Sequence, residues 1–170
     1  MQVKQFSKKI IFFTFFFTFF CISVSKNEGL IVEIDNPRFS EKGLDDKTYE
    51  IKAAKGLRSD DELKLFTIEG KFKTDKDGKW VFLEAEKGHY FQSMSFIKLE
   101  KNIRFYTDEG EVLKSNFATF DMNNDIIKFI ENVSHDSING FIVADNSIVS
   151  QNFNNILYEG NVITTLNIKD

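Results

Sequence analysis

His89 and His135 are the only imidazoles in this 170-residue chain, and neither has a carboxylate or a second histidine at a metal-ligating spacing. Both read as solvent-exposed side chains, and no metal site is expected. Cys21 is the single cysteine, so an intrachain disulfide and a thiolate cluster are excluded. It lies in an apolar run, where cysteine behaves as a small hydrophobe, and Phe20 stands where a lipoprotein cysteine needs a small neighbour. No Ser/His/Asp set stands out, and Asp45-Asp46 and Asp60-Asp61 read as solvated turns. There is no phosphate-cradling G-x-x-x-x-G-K-[ST], and the sequon Asn132-Val133-Ser134 is better explained as part of a strand. The expectation is a protein that is not an enzyme and uses no cofactor. What remains is the chemistry of an apolar surface.

That surface has a pattern. Four segments share one template, an apolar residue, any residue, a second apolar residue, three variable positions and a third apolar residue: Phe66/Ile68/Phe72, Ile97/Leu99/Ile103, Ile127/Phe129/Val133 and Ile156/Tyr158/Val162. The second members, at 68, 99, 129 and 158, recur at intervals of about 30 residues, the signature of a stacked supersecondary unit. Within each template the apolar positions differ by even numbers, which places them on one face of a strand. Lead-in strands Tyr49-Ile51-Ala53, Val81-Leu83-Ala85, Leu113-Ser115-Phe117 and Ile142-Ala144 precede the templates. Together with Val81, Leu83, Phe105 and Ile142, the twelve template positions are the candidate lipid-binding groove. The competing reading is that the same ladder is the core of a β-sandwich. Lys101 and Glu131 share the ladder's parity at the place held by Gly70 and Gly160 in the outer repeats. A bulge, a strand end or a rim position is therefore expected there.

The elements that must position this face are short strands. From Asn36 onward there is alternation and no helical period. Turn signals interrupt it at Asp77-Gly78, Asp108-Glu109-Gly110, Asn123-Asn124-Asp125, Asn139-Gly140 and Asn154-Asn155. The strands between them read as Trp80–Ala85, Phe96–Phe105, Ile126–Val133, Gly140–Ala144 and Ile156–Thr165. Pro37, the only proline, suits the start of an edge strand. Hydrophobic residues make up 42% of the chain, enough for a packed core.

Residues 1–25 are different: a basic start with Lys4, Lys8 and Lys9, then an apolar stretch from Ile10 to Val24 holding many of the 20 phenylalanines. This is a membrane-targeting sequence outside the fold. Fifteen helical residues span only about 22 Å against a hydrocarbon core of about 30 Å, which favours a cleaved signal, with Ser23 and Ser25 at −3 and −1 from a cut before Lys26. Snorkelling of Lys8 and Lys9 lengthens the usable helix and favours an anchor. In both cases the remainder is exported. Without the segment, 19 basic residues face 26 acidic ones, a net of −7, which repels a phosphate backbone and excludes a nucleic-acid partner. The expected organisation is an anchor over 1–25, a linker over 26–35 and a β-domain over 36–170.

Asn36-Pro37-Arg38-Phe39-Ser40, Asp46, Tyr49-Glu50-Ile51-Lys52-Ala53, Leu83-Glu84-Ala85-Glu86-Lys87-Gly88 with Tyr90, Ile97-Lys98-Leu99 through Asn102-Ile103, Leu113 through Asp121, and Gly140-Phe141-Ile142-Val143-Ala144-Asp145 resemble, in this order, the LptC family of lipopolysaccharide export proteins. The resemblance covers roughly residues 30–166. It implies an open, V-shaped antiparallel β-jellyroll after one N-terminal hydrophobic helix, held in the inner membrane as a single-pass protein with its domain in the periplasm. It further implies receipt of lipopolysaccharide from the LptB–LptF–LptG transporter and transfer to LptA, with jellyrolls joined by edge-strand pairing. The N-terminal edge would meet the transporter, and the edge of Ile156–Ile168 would meet LptA. Two alternatives remain open: a soluble LptA-like bridge after cleavage, and a β-sandwich carbohydrate-binding module with a filled core and Trp80 on an outer face.

Overall fold

The structure, a computed structural model, describes residues 30–42, 48–74, 78–150, 153 and 155–167. Strands are β1 (Val32–Asp35), β2 (Arg38–Lys42), β3 (Thr48–Ser59), β4 (Glu62–Lys73), β5 (Trp80–Phe91), β6 (Phe96–Thr107), β7 (Val112–Asp121), β8 (Ile126–Ser137), β9 (Gly140–Ser150), β10 (Asn155–Glu159) and β11 (Ile163–Leu166). All pairings are antiparallel, and the eleven strands form one open sheet in chain order. β1 and β2 together line one side of β3, while β10 and β11 together line the far side of β9. The expected all-β class is therefore observed. β1 falls inside the stretch read as a linker, so the sheet begins at Val32. The targeting segment 1–25 lies outside the described residues.

Turns fall where glycine, asparagine and aspartate signalled them, because those residues accept a positive φ. Gly78 (φ 64°) precedes β5, Gly110 (φ 91°) joins β6 to β7 and Asp125 (φ 52°) joins β7 to β8. Asp60 (φ 40°) turns β3 into β4. The strands, however, are up to 12 residues long, about twice the usual length, because a line of irregularities bends them where the sequence reading ended several of them.

This crease crosses the whole sheet. On β6, Lys101 (φ 67°) and Asn102 (φ 49°) are left-handed, and on β8 so are Glu131 (φ 64°) and Asn132 (φ 53°). The register slips there against both neighbouring strands, between Glu84/Lys87, Glu100/Ile103, Lys114/Phe117 and Ile130/Val133. Each of β6 and β8 thus carries one residue more than its neighbours, the bulge anticipated at Lys101 and Glu131. The crease continues at Thr67 (φ 54°) on β4 and reaches both edges. Asn36 (φ 49°) with Pro37 separates β1 from β2, and Gly160 (φ 71°) with Asn161 (φ 40°) separates β10 from β11.

Thr67 changes one sequence assignment. A single left-handed residue, where β6 and β8 have two, inverts the strand's parity at that point. Leu65 below the bend and Ile68 above it both turn inward, and Phe66 turns outward between Lys55 and Lys87. Gly70 is an ordinary inner-face residue between Ile51 and Leu83, not a bend. The same inversion between Ser115 and Ala118 on β7 leaves Phe117 on the outside. Left-handed backbone costs a non-glycine residue about 1–2 kcal/mol, against about 0.5–1 kcal/mol for the extra freedom that glycine loses on folding. Glu131 is exposed, so Glu131→Gly is expected to stabilise the sheet by about 0.5–1 kcal/mol. A urea midpoint that rises at constant slope is the confirming result.

Candidate functional site

The inner face is built from transverse rows, each strand contributing one side chain. One row runs Leu63, Tyr90, Ile97, Phe120, Ile127, Val149, Ile156, and the next runs Leu65, Gly88, Leu99, Ala118, Phe129, Ser147, Tyr158. Template members 97, 127 and 156 therefore share one row, and 99, 129 and 158 share another. Their counterparts in the first repeat are Leu63 and Leu65, followed by Ile68. Gly88 is required for close packing in its row: a Cβ there would stand 2.6 Å from Ile68 Cδ1 and 3.2 Å from Leu99 Cδ2.

Of the sixteen candidate groove positions, Ile68, Phe72, Val81, Leu83, Ile97, Leu99, Ile103, Phe105, Ile127, Phe129 and Val133 lie in one buried cluster, each no more than 4% exposed. Ile156 and Tyr158 are half-buried against that cluster, and Ile142 is half-buried. Two positions depart from expectation. Phe66 is on the outer face, for the reason given by Thr67. Val162 is 47% exposed because it follows the Gly160-Asn161 break and lies between β10 and β11 at the sheet's edge, with no further strand beside it.

The sheet folds over so that this face closes on itself. Tyr49 on β3 meets Phe120 on β7 edge-on at 4.8 Å, and Phe72 lies 6.1 Å from the same ring. Phe153 contacts both Phe72 and Phe105 at 5.9 Å, and Phe105 packs edge-on against Phe129 at 5.0 Å. A polar bond spans the closure: the Tyr49 hydroxyl donates to Asp125 Oδ1 at 2.7 Å, in the interior. Among the described buried polar atoms one, Ser147 Oγ, has no hydrogen-bond partner. The inner face is buried as a core, as the β-sandwich reading requires.

The histidines are not the free side chains the sequence suggested. His89 Nδ1 lies 2.7 Å from Glu62 Oε1, and its Nε2 lies 3.8 Å from Glu100. These carboxylates are supplied by β4 and β6 across the ladder, a proximity that linear spacing does not reveal. His135 is half-buried between Leu113 and Ile142 on the neighbouring strands, and it shares a hydrogen bond with the Tyr158 hydroxyl. No group of three or more metal-ligating side chains occurs among the described residues.

Burial pulls the His135 imidazole below its ordinary value of 6.5, with Glu111 and Asp136 opposing the shift. The same burial, reinforced by Glu111, pushes the Tyr158 phenol up to about 12. The sign of the linkage follows. With a folded-state pKa below the unfolded one, the unfolded chain takes up the proton first as pH falls. Stability linked to His135 is thus present above pH 6.5 and declines as pH falls from there toward the lowered folded-state value. The protection factors of the β10 amides, taken against the intrinsic exchange rate at each pH, are expected to fall over that interval, and His135→Gln to flatten the response.

A scan against protein-family models finds no match for this chain, and a search of curated proteins finds no relative. The class defined by fold and site is therefore a structural one: a single open antiparallel sheet, folded over an apolar inner face, with both edges unpaired among the described residues. Among the described residues no helix is long and apolar enough to cross a membrane.

Proposed function

We propose that this chain is a component of lipopolysaccharide export of the LptC kind. Residues 1–25 hold it in the inner membrane, and the sheet is the periplasmic jellyroll that takes lipid from the LptB–LptF–LptG transporter and passes it to LptA. The observation that carries this reading is the alignment of the repeats into largely apolar rows, running from β4 to β10 of a sheet that does not close into a barrel. Apolar side chains are also exposed along both edges: Leu30, Ile31 and Val32 on one side, Leu157, Ile163 and Leu166 on the other. These suit strand-to-strand docking of neighbouring jellyrolls.

In this reading lipid enters by parting the inner face. A V-shaped opening separates the Tyr49, Phe72, Phe120 and Phe153 rings, and acyl chains replace their contacts. Each buried CH₂ contributes about 0.8 kcal/mol, so a twelve-carbon chain offers roughly 9 kcal/mol gross, enough to compete with that aromatic closure. Extraction from the bilayer costs a similar amount, which is why the energy source lies in an associated ATPase.

Photo-crosslinking tests the proposal. A photoreactive residue at Leu99, Phe129 or Tyr158 is expected to capture lipopolysaccharide, while one at Phe66, Lys98 or Lys128 on the outer face is not. Capture confined to the outer positions would sink the proposal. Sizing the mature protein separates the anchored form from a soluble, LptA-like one beginning at Lys26.

A further inference from the structure

The outer face carries a second organised surface, on the Trp80 side of the crease. Phe82 on β5 and Tyr106 on β6 are cross-strand partners whose rings stack at 5.1 Å and 20°. Trp80 extends the row, 6.5 Å from Phe82 and inclined by 29°. Cations lie over the ends, with Lys71 Nζ 5.2 Å from the Trp80 ring and the Arg104 guanidinium 4.1 Å from the Tyr106 ring. Beside the rings runs an ordered set of ion pairs: Lys52–Glu69 at 2.7 Å, Lys71–Glu50 at 3.0 Å and Arg104–Glu84 at 3.3 Å. The Tyr106 hydroxyl donates to Glu84 at 3.0 Å. Phe82, Tyr106, Arg38, Glu84 and the Lys52–Glu69 and Lys71–Glu50 pairs line a concavity of about 760 Å³ on the outer side of β2 to β6, within the size range of small-molecule sites.

Sheet stability alone explains little of this. Exposed ion pairs contribute at most about 1 kcal/mol each, and an outer face does not require three adjacent aromatic residues. The charge balance is the informative feature. Three cations (Arg38, Lys52 and Lys71) and three carboxylates (Glu50, Glu69 and Glu84) line the cleft, so its lining has no excess positive charge for a phosphate, yet it offers donors and acceptors side by side next to apolar rings. That combination complements a neutral polyhydroxylated ring, whose C–H faces rest on aromatic carbon and whose hydroxyls bridge a carboxylate and an ammonium or guanidinium. We infer that the cleft lined by Phe82 and Tyr106 is a binding site for neutral saccharide, on the face opposite the apolar rows and independent of what those rows carry.

Trp80 is the only tryptophan and stacks on Phe82, so its emission reports on the site through that ring. The full chain in polyoxyethylene detergent is titrated with maltotriose, with tri-N-acetylchitotriose and with inorganic phosphate. The expected result is a saturable emission change with at least one trisaccharide and none with phosphate. Phe82→Ala is expected to weaken it about tenfold, through loss of ring contact. Glu84→Gln keeps the shape and removes the charged acceptor, and is expected to weaken it about fivefold or more. Lys128→Gln, outward on β8, serves as the unchanged control. No saturable response to either sugar, a response to phosphate alone, or sugar binding unaltered in both Phe82→Ala and Glu84→Gln overturns the assignment. Lipid capture at Leu99 is measured separately, so either proposal can fail without the other.

Discussion

Phe129→Ala is expected to destabilise the folded sheet by about 3–5 kcal/mol. Phe129 is fully buried, packs edge-on against Phe105, and stands in its row between Ala118 on β7 and Ser147 on β9. Neither flanking side chain is large enough to fill the space the ring leaves, so most of the cavity persists. The unpartnered Ser147 hydroxyl lies beside it. Because a domain of this size is stable by only about 5–15 kcal/mol, the loss is a large fraction of the total. Urea denaturation measures it directly, and a change below about 1 kcal/mol would show that the rows are not packed as a core. The same variant bears on function: if the aromatic closure is what lipid displaces, lipid capture at Leu99 should rise in Phe129→Ala among molecules that remain folded.

The second large effect is local. Gly140 opens β9 with φ 152°, and a Cβ there would collide with the backbone carbonyl oxygen of Thr165 on β11. Backbone cannot yield as a side-chain tip does, and the φ itself costs an L-residue about 1–3 kcal/mol. Gly140→Ala is therefore expected to release β11, whose four residues are all exposed and pair with β9 alone. Hydrogen exchange should then show Ile163–Leu166 unprotected while β3 to β8 keep their protection. Equal loss across the sheet would mean that β11 is integral to the core rather than an appended edge. If this edge docks a neighbouring jellyroll, binding should weaken with no change in the inner rows.

The repeats were legible in the sequence where the bend conserves parity. On β6 and β8 two left-handed residues stand at the crease, so Leu99 and Ile103, or Phe129 and Val133, stay on one face at even spacing. On β4 the bend has one residue fewer, and even spacing carries Phe66 to the wrong side while concealing Leu63 and Leu65. Nothing in Thr67 as a residue type announces a left-handed conformation, since β-branched side chains disfavour it. The turns were readable because Asp60, Gly78 and Gly110 are residues that tolerate a positive φ. Cross-strand partnerships were not: Tyr158 lies 23 residues from His135 and Glu62 lies 27 from His89. Only the register brings them together. Trp80 was identifiable as an outer aromatic, but the row it forms with Phe82 and Tyr106 depends on the pairing of β5 with β6.

The crease has a further consequence at its two ends. An unpaired strand of 12 residues would be a template for uncontrolled addition of other chains. Here neither free border offers one. Asn36-Pro37 divides one side into segments of four and five residues, and Gly160-Asn161 divides the other into five and four. A straight strand can zip along only half of either border before it meets a kink. Full engagement is reserved for a strand with a matching interruption at the same height, so the fold itself acts as a filter against fibre growth and sets the alignment of any legitimate neighbour.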